Sequence, residues 1–204
     1  MELHDAVVTA LHRFEDGAVG AAAFLRELAM GVAEELLCER VGIWTFDMQG
    51  EQLALRCLCQ YDLRDAFTEG QVLPAGLMAG SFSALAECGV LVASEARSHP
   101  ATRPLADTYL VPRGIHSMLD VALAANGRWT GILSCERVDT ARAWNPREVA
   151  YVRTAAARTS LVVERAWAGR WRDPADTSSV RTACGRDVSV VHRASGFEPD
   201  DFAA

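Results

Sequence analysis

The run Gly114-Ile115-His116-Ser117-Met118-Leu119-Asp120-Val121 continues through Asn126-Gly127 into Gly131-Ile132-Leu133-Ser134-Cys135-Glu136, and no other part of the chain restricts the fold as much. Asn-Gly is the strongest short hairpin signal, because both central residues of a tight two-residue turn take positive φ. The flanking apolar residues predict strands over about 116–124 and 128–138. Arg142-Ala143-Trp144 follows, and Asn145-Pro146 then opens a long helix, with Asn as its cap and Pro in its first turn. A strand pair that feeds directly into a helix belongs to a mixed module of sheet and helix.

The remaining periodicities fill in that module. Leu3, Val7, Leu11 and Phe14 predict a short amphipathic helix over 3–15, ended by Asp16-Gly17. Leu25, Leu28, Ala29, Val32 and Leu36 predict a second over about 20–39. Ile43-Trp44-Thr45-Phe46 pairs across a turn with Leu53, Leu55, Cys57 and Cys59, whose alternation puts both cysteines on one strand face. Residues 61–75 read as a loop, 75–87 as a helix, 90–93 as a buried strand and 102–110 as a turn or two of helix. In the last helix, to about Gly169, Val149, Val152, Ala156 and Val163 form a stripe, with Tyr151, Ala155, Val162 and Ala166 beside it. That sector is wider than packing on one surface needs, so the helix can touch its own sheet and a partner helix together. Residues 170–204 carry little periodicity and read as a flexible tail.

The element order predicts an α+β fold: a central, mainly antiparallel sheet with the terminal helices on one face. Loops and short helices from 61–115 would cover a pocket on the other face. Residues 1–19 form an N-terminal helix, 20–169 the main domain and 170–204 the tail.

Composition removes several function classes. Asp+Glu number 27 against 20 basic residues, all of them Arg, for a formal charge of -7. Nucleic-acid binding wants a basic face, so it is not expected. No apolar run reaches the roughly 18–20 residues that span a bilayer, and Met1-Glu2-Leu3-His4-Asp5 does not start a signal peptide. Cys38, Cys57, Cys59, Cys88, Cys135 and Cys184 form no C-x-x-C pair, and a reduced, cytoplasmic protein is expected. His99 and His116 lack a second ligand at a helpful spacing, so no metal site is expected. Neither a phosphate loop, a His-Glu-x-x-His helix nor a nucleophile elbow is present, and no catalytic residue is assigned.

The chain resembles the GAF domain family. The carriers are Ile43-Trp44, Thr102 with Leu105 and Tyr109-Leu110, Ser117-Met118-Leu119-Asp120-Val121, Gly127, Gly131, Glu136, Trp144 and Glu148, over about residues 20–168. The likeness is to the variety found beside histidine kinase and diguanylate cyclase modules in bacterial signalling proteins. It implies a small-molecule sensor with a pocket on one sheet face and terminal helices that pair in a homodimer. Ala122 stands where family members often carry Pro. The cyclic-nucleotide signature and the Cys-His pair that holds a bilin are both missing, so those ligands are not implied and no cofactor is named. No output module is legible beyond the domain, so output is expected through a separate protein or the tail.

Trp44, Phe82, Leu105 and Tyr109 are the expected pocket walls, since ligand cavities are mostly apolar with few polar groups. Ser117, Leu119, Ser134 and Glu136 complete the candidate ligand site. Asp120 and Glu136 have two readings: they orient a ligand, or they satisfy loop amides or pair with an Arg. The walls equally read as a filled core, which would make the protein a ligand-free interaction scaffold. One GAF branch reduces free methionine sulfoxide with loop cysteines; Cys88 and Cys135 would be the analogues of such a thiol-based redox enzyme or sensor.

Overall fold

The computed structural model describes residues 5–49, 52–64 and 66–167, so the predicted tail and Cys184 lie outside the described residues. Helices α1 (Asp5–Glu15) and α2 (Ala21–Leu36) precede strands β1 (Arg40–Gln49) and β2 (Gln52–Asp62). Two short strands, β3 (Ala66–Thr68) and β4 (Val72–Pro74), occupy the span expected as loop, and both pair with β2. A 3-10 turn (Ala75–Met78) leads into α3 (Ala79–Cys88) and then β5 (Val90–Ala93). A 3-10 turn (Arg103–Leu105) and a π-helical turn (Ala106–Leu110) precede β6 (Ile115–Ala125), β7 (Arg128–Val138) and α4 (Pro146–Trp167).

The strands form one antiparallel sheet in the order β3-β2-β1-β7-β6-β5, with β4 on another stretch of β2. The β6–β7 turn is the expected one: Asn126 has φ 52° and Gly127 φ 73°. The pleat sorts side chains strictly here. Leu133 and Cys135 of β7 join Leu119, Val121 and Leu123 of β6 in the core beneath α2 and α4. Ile132 joins Met118, Trp44, Leu55 and Leu105 in the opposite core. Two apolar layers thus share one sheet.

Register slips shift this phase in three places, one of them between Leu123 and Ala124 near the β6–β7 turn. The β1–β2 register slips between Ile43 and Trp44, where Ile43 faces Cys59 and Trp44 faces Cys57. The extra residue, Leu58, turns the two cysteines apart: Cys57 lies in the core opposite the terminal helices and Cys59 beneath them, not on one face as their spacing suggested. The third slip falls between Ile115 and Ser117.

The C-terminal helix starts with a reciprocal cap. The Glu148 N–H donates to Asn145 Oδ1 at 3.0 Å, and the Asn145 N–H donates to Glu148 Oε2 at 2.8 Å. Most of its wide apolar sector closes on its own chain, with Val149 partly buried. Val152, Ala155, Ala156, Val162 and Val163 are each at most 1% exposed, in one core with α2. Those valines are therefore not free to meet a second copy. The outward stripe is Arg147, Ala150, Thr154, Ala157 and Leu161, with Leu161 50% exposed.

Arg137 ties both terminal helices to the sheet. It follows Glu136 on β7 and donates to the carbonyls of Leu37 (3.0 Å) and Leu36 (3.1 Å) at the end of α2. It also donates to Glu148 Oε1 at 2.8 Å, and its guanidinium lies 4.2 Å from the Trp144 ring centre. A cation at a helix C-terminus complements the dipole, and its fork satisfies carbonyls that end a helix without partners.

Gly131 sits where β7 runs closest to β1. A Cβ there would overlap the Trp44 carbonyl oxygen, which is backbone and cannot rotate away. Gly131→Ala is expected to destabilise the fold by about 1–3 kcal/mol or more. Urea unfolding checks this, and a parent-like midpoint would show that the two strands do not approach so closely.

Candidate functional site

Opposite the terminal helices, the sheet is roofed by β4, the turn at Ala75–Met78 and the segment Arg103–Leu110. Between roof and sheet lies a cavity lined by Trp44, Leu55, Leu73, Met78, Leu105, Tyr109, Met118, Asp120, Ile132, Ser134 and Glu136. Its room is about 10 Å³, enough for one water molecule. The roof residues Leu105 and Tyr109 are at most 1% exposed. The Trp44 and Tyr109 rings meet edge to face, 6.4 Å apart.

Two carboxylates reach this cavity in opposite electrostatic situations. Glu136 is fully partnered: Arg40 Nε donates to Oε2 at 2.9 Å, and the Tyr109 hydroxyl donates to Oε1 at 2.7 Å. Arg40 also holds Asp62. Burial works against the charge on Arg40, but the surrounding acidic groups outweigh it and raise its pKa. Tyr109 holds its proton firmly, chiefly because of burial and then because of the Glu136 carboxylate.

Asp120 has none of this. It is 0% exposed and neither carboxylate oxygen has a hydrogen-bond partner. Ser134, its partner across the β6–β7 ladder, is 3% exposed and its hydroxyl is also without a partner. The hydroxyl is near enough to stabilise the charge on Asp120, yet its geometry falls short of a hydrogen bond. Burial raises the Asp120 pKa to about 7, the Ser134 hydroxyl pulls it back and the Glu136 carboxylate adds to the rise.

Five of the eight candidate ligand residues line this cavity: Trp44, Leu105, Tyr109, Ser134 and Glu136. Three stand elsewhere. Phe82 packs edge to face on Phe46 and Trp129, both 5.5 Å away, in an aromatic cluster beside the cavity. Leu119 points to the terminal helices, one step of the pleat from Asp120. Ser117, at the β6 bulge, donates to the Ser94 carbonyl at 2.7 Å and accepts the Arg142 N–H at 2.9 Å, so it is a structural tie. Of the two readings weighed for the carboxylates, Glu136 takes the Arg pairing and Asp120 the orphaned place in the cavity. The alternation along Ser117-Met118-Leu119-Asp120 carried that signal, since Met118 and Asp120 share a face.

The thiols stand apart from the site. Cys135 points into the helix-side core near Cys38, and burial raises its pKa well above that of a free thiol. Burial also lifts Cys57 and Cys59 to about 12. Cys88 is exposed at the end of α3. The His99 Nδ1 accepts the Ala101 N–H at 3.2 Å. Among the described residues, no three His, Cys, Asp or Glu side chains gather as a metal site.

The comparisons with known proteins agree with this architecture. The GAF domain family model matches residues 21–163. Among solved structures, the GAF domain of Thermosynechococcus elongatus PixJ in its blue-light absorbing form is 18% identical, with 71% of this chain and 85% of that one covered and a TM-score of 0.58. Residues 122 to 287 of a methyl-accepting chemotaxis protein are 19% identical over 80% of this chain and 99% of that one, at a TM-score of 0.62. The GAF domain of an Acinetobacter phosphoenolpyruvate-protein phosphotransferase is 15% identical over 80% and 93%, also at 0.62. At these identities the likeness speaks for the fold alone. No curated protein matches the chain.

The raised Asp120 pKa has a consequence for stability. Between the unfolded value of 3.8 and about 7, the folded chain holds a proton that the unfolded chain has lost. Stability therefore falls as pH rises through that window, by up to about 1.4 kcal/mol per pH unit. Glu136 and Tyr109, the other titratable groups lining the cavity, remain in Asp120→Asn. That variant is expected to lose this slope and to outlast the parent above pH 7. Urea midpoints of parent and variant from pH 4 to 8 check it; parallel curves would show that Asp120 is solvated or paired.

Proposed function

We propose that this chain, which belongs to the GAF domain family, is a sensory module that binds a small molecule beneath its roof and signals through its terminal helices. The observation that carries this reading is the Asp120–Ser134 pair. Leaving buried polar groups without hydrogen bonds costs stability and needs a reason. A ligand that supplies the missing partners is such a reason, and the apolar lining around a few polar groups suits one.

The route to the helices is short. Glu136 faces the cavity and Arg137, the next residue, holds the end of α2 and the start of α4. A ligand that repositions Tyr109 or Glu136 moves β7, and Arg137 carries that shift to both helices. The requirement is that the ligand favours one of two helix arrangements.

A homodimer is part of this reading, and the stripe ending at Leu161 is the surface of α4 open to it. No helix among the described residues is long and apolar enough to cross a membrane, which accords with a cytoplasmic sensor that acts on a separate output protein. The small cavity favours a second reading, a scaffold that binds no ligand.

Native mass spectrometry of freshly purified protein separates the two, since a retained small molecule supports the sensor and its persistent absence the scaffold. For the relay, Arg137→Gln is expected to leave ligand affinity within about twofold while abolishing the ligand-induced change in hydrogen exchange at the end of α2 and the start of α4. An unchanged response would remove the relay. For the dimer, Leu161→Glu is expected to sediment as a monomer where the parent sediments as a dimer, and a dimeric variant would move the contact elsewhere.

A further inference from the structure

The cavity's chemistry goes further than a generic ligand. Resting on the sensory reading above, we infer that the pocket takes a primary ammonium carried on a short apolar chain, held by Asp120 and Ser134.

Three unpartnered acceptor atoms converge there: the two oxygens of Asp120 and the hydroxyl oxygen of Ser134. A primary ammonium brings three N–H donors and no acceptor. The residues sit opposite each other on β6 and β7, so one group can reach both. The cavity's room, about that of one water, matches the head of such a ligand. In the free protein a water can stand there, and the ammonium would replace it.

The surrounding charge points the same way. The Arg40 guanidinium is already shared between Glu136 and Asp62, and Asp120, which feels the Glu136 carboxylate, has no cation of its own. No residue lining the cavity is cationic. A carboxylate or phosphate ligand would meet Asp120 with nothing to neutralise it. A positive charge instead turns a lone buried carboxylate into a hydrogen-bonded ion pair. A hard divalent cation wants six or more oxygens, and the apolar walls do not supply them.

The chain of the ligand has a path. Trp44 lines the cavity and its ring suits a cation and its neighbouring methylenes, whereas the Tyr109 ring already carries the Arg113 guanidinium 4.4 Å from its centre. Met78 in the roof and Met118 on the floor are unbranched and can rotate to admit a body larger than the present cavity.

The test is calorimetric titration at pH 8 of the full chain with n-butylammonium, n-butanol, butyrate and tetramethylammonium, the last a cation without N–H donors. The expected result is that butylammonium binds, the other three bind at least tenfold more weakly, Asp120→Asn loses at least tenfold in affinity, and Ser134→Ala loses severalfold. Thermal melts confirm that both variants fold. Equal binding of butanol or tetramethylammonium, retention of affinity in Asp120→Asn, or no binding of butylammonium would each overturn the ammonium assignment. The sensory reading fails separately: butylammonium binds through Asp120, but hydrogen exchange at the end of α2 and the start of α4 does not change. Butyrate or butanol binding with a change at those helices would sink the ammonium and leave the sensor standing.

Discussion

The guanidinium of Arg40 is the fixed point of this molecule. It stands at the start of β1 and joins Asp62 at the end of β2 to Glu136 on β7, with Tyr109 completing the Glu136 carboxylate from the roof. Three strands and the covering segment thus meet at one charge. A carboxylate buried without partners is costly, while one with a planar donor fork on one side and a phenol on the other is stable and well placed. Arg suits the position because its charge does not titrate and its donors are held in a plane. The cluster anchors the roof at Tyr109, while Leu73 is held by the pairing of β4 with β2.

Against that anchored carboxylate, the neighbouring one defines the site. Asp120 and Glu136 lie on adjacent strands beneath the same roof, and only Glu136 is neutralised. The proposed ligand site rests on this contrast, since the fold supplies partners to Glu136 and withholds them from Asp120. A site of this kind sacrifices stability in the free state in return for discrimination.

Much of this was legible in the sequence. Asn126-Gly127 fixed a hairpin because its two residues tolerate positive φ. Asn145 with Glu148 announced a helix start because the two side chains satisfy each other's backbone. Trp44, Leu105 and Tyr109 were readable as cavity walls from their place in the fold. The errors trace to the phase of the pleat. Leu58 is an ordinary residue, and nothing local says that one extra residue is accommodated there, so Cys57 and Cys59 were put on one face; Ser117 and Leu119 instead lie on the face that alternation turns away from Asp120. The short strands β3 and β4 were missed because three residues carry no period, and only pairing to β2 makes them strands. The apolar sector of α4 was legible as a stripe, but the sequence could not say that α2 and the sheet would take up Val152, Ala155, Ala156, Val162 and Val163.

Glu136 and Arg137 are consecutive and face opposite ways. A single-residue deletion or insertion in the middle of β7 would exchange them, setting a guanidinium under the roof and a carboxylate against the carbonyl end of α2. Both local fields would reverse together, with no compensating change available on either side. Length variation among descendants of this chain should therefore collect in the tip at Asn126-Gly127 and be purged from the strand itself, whatever the individual residues become.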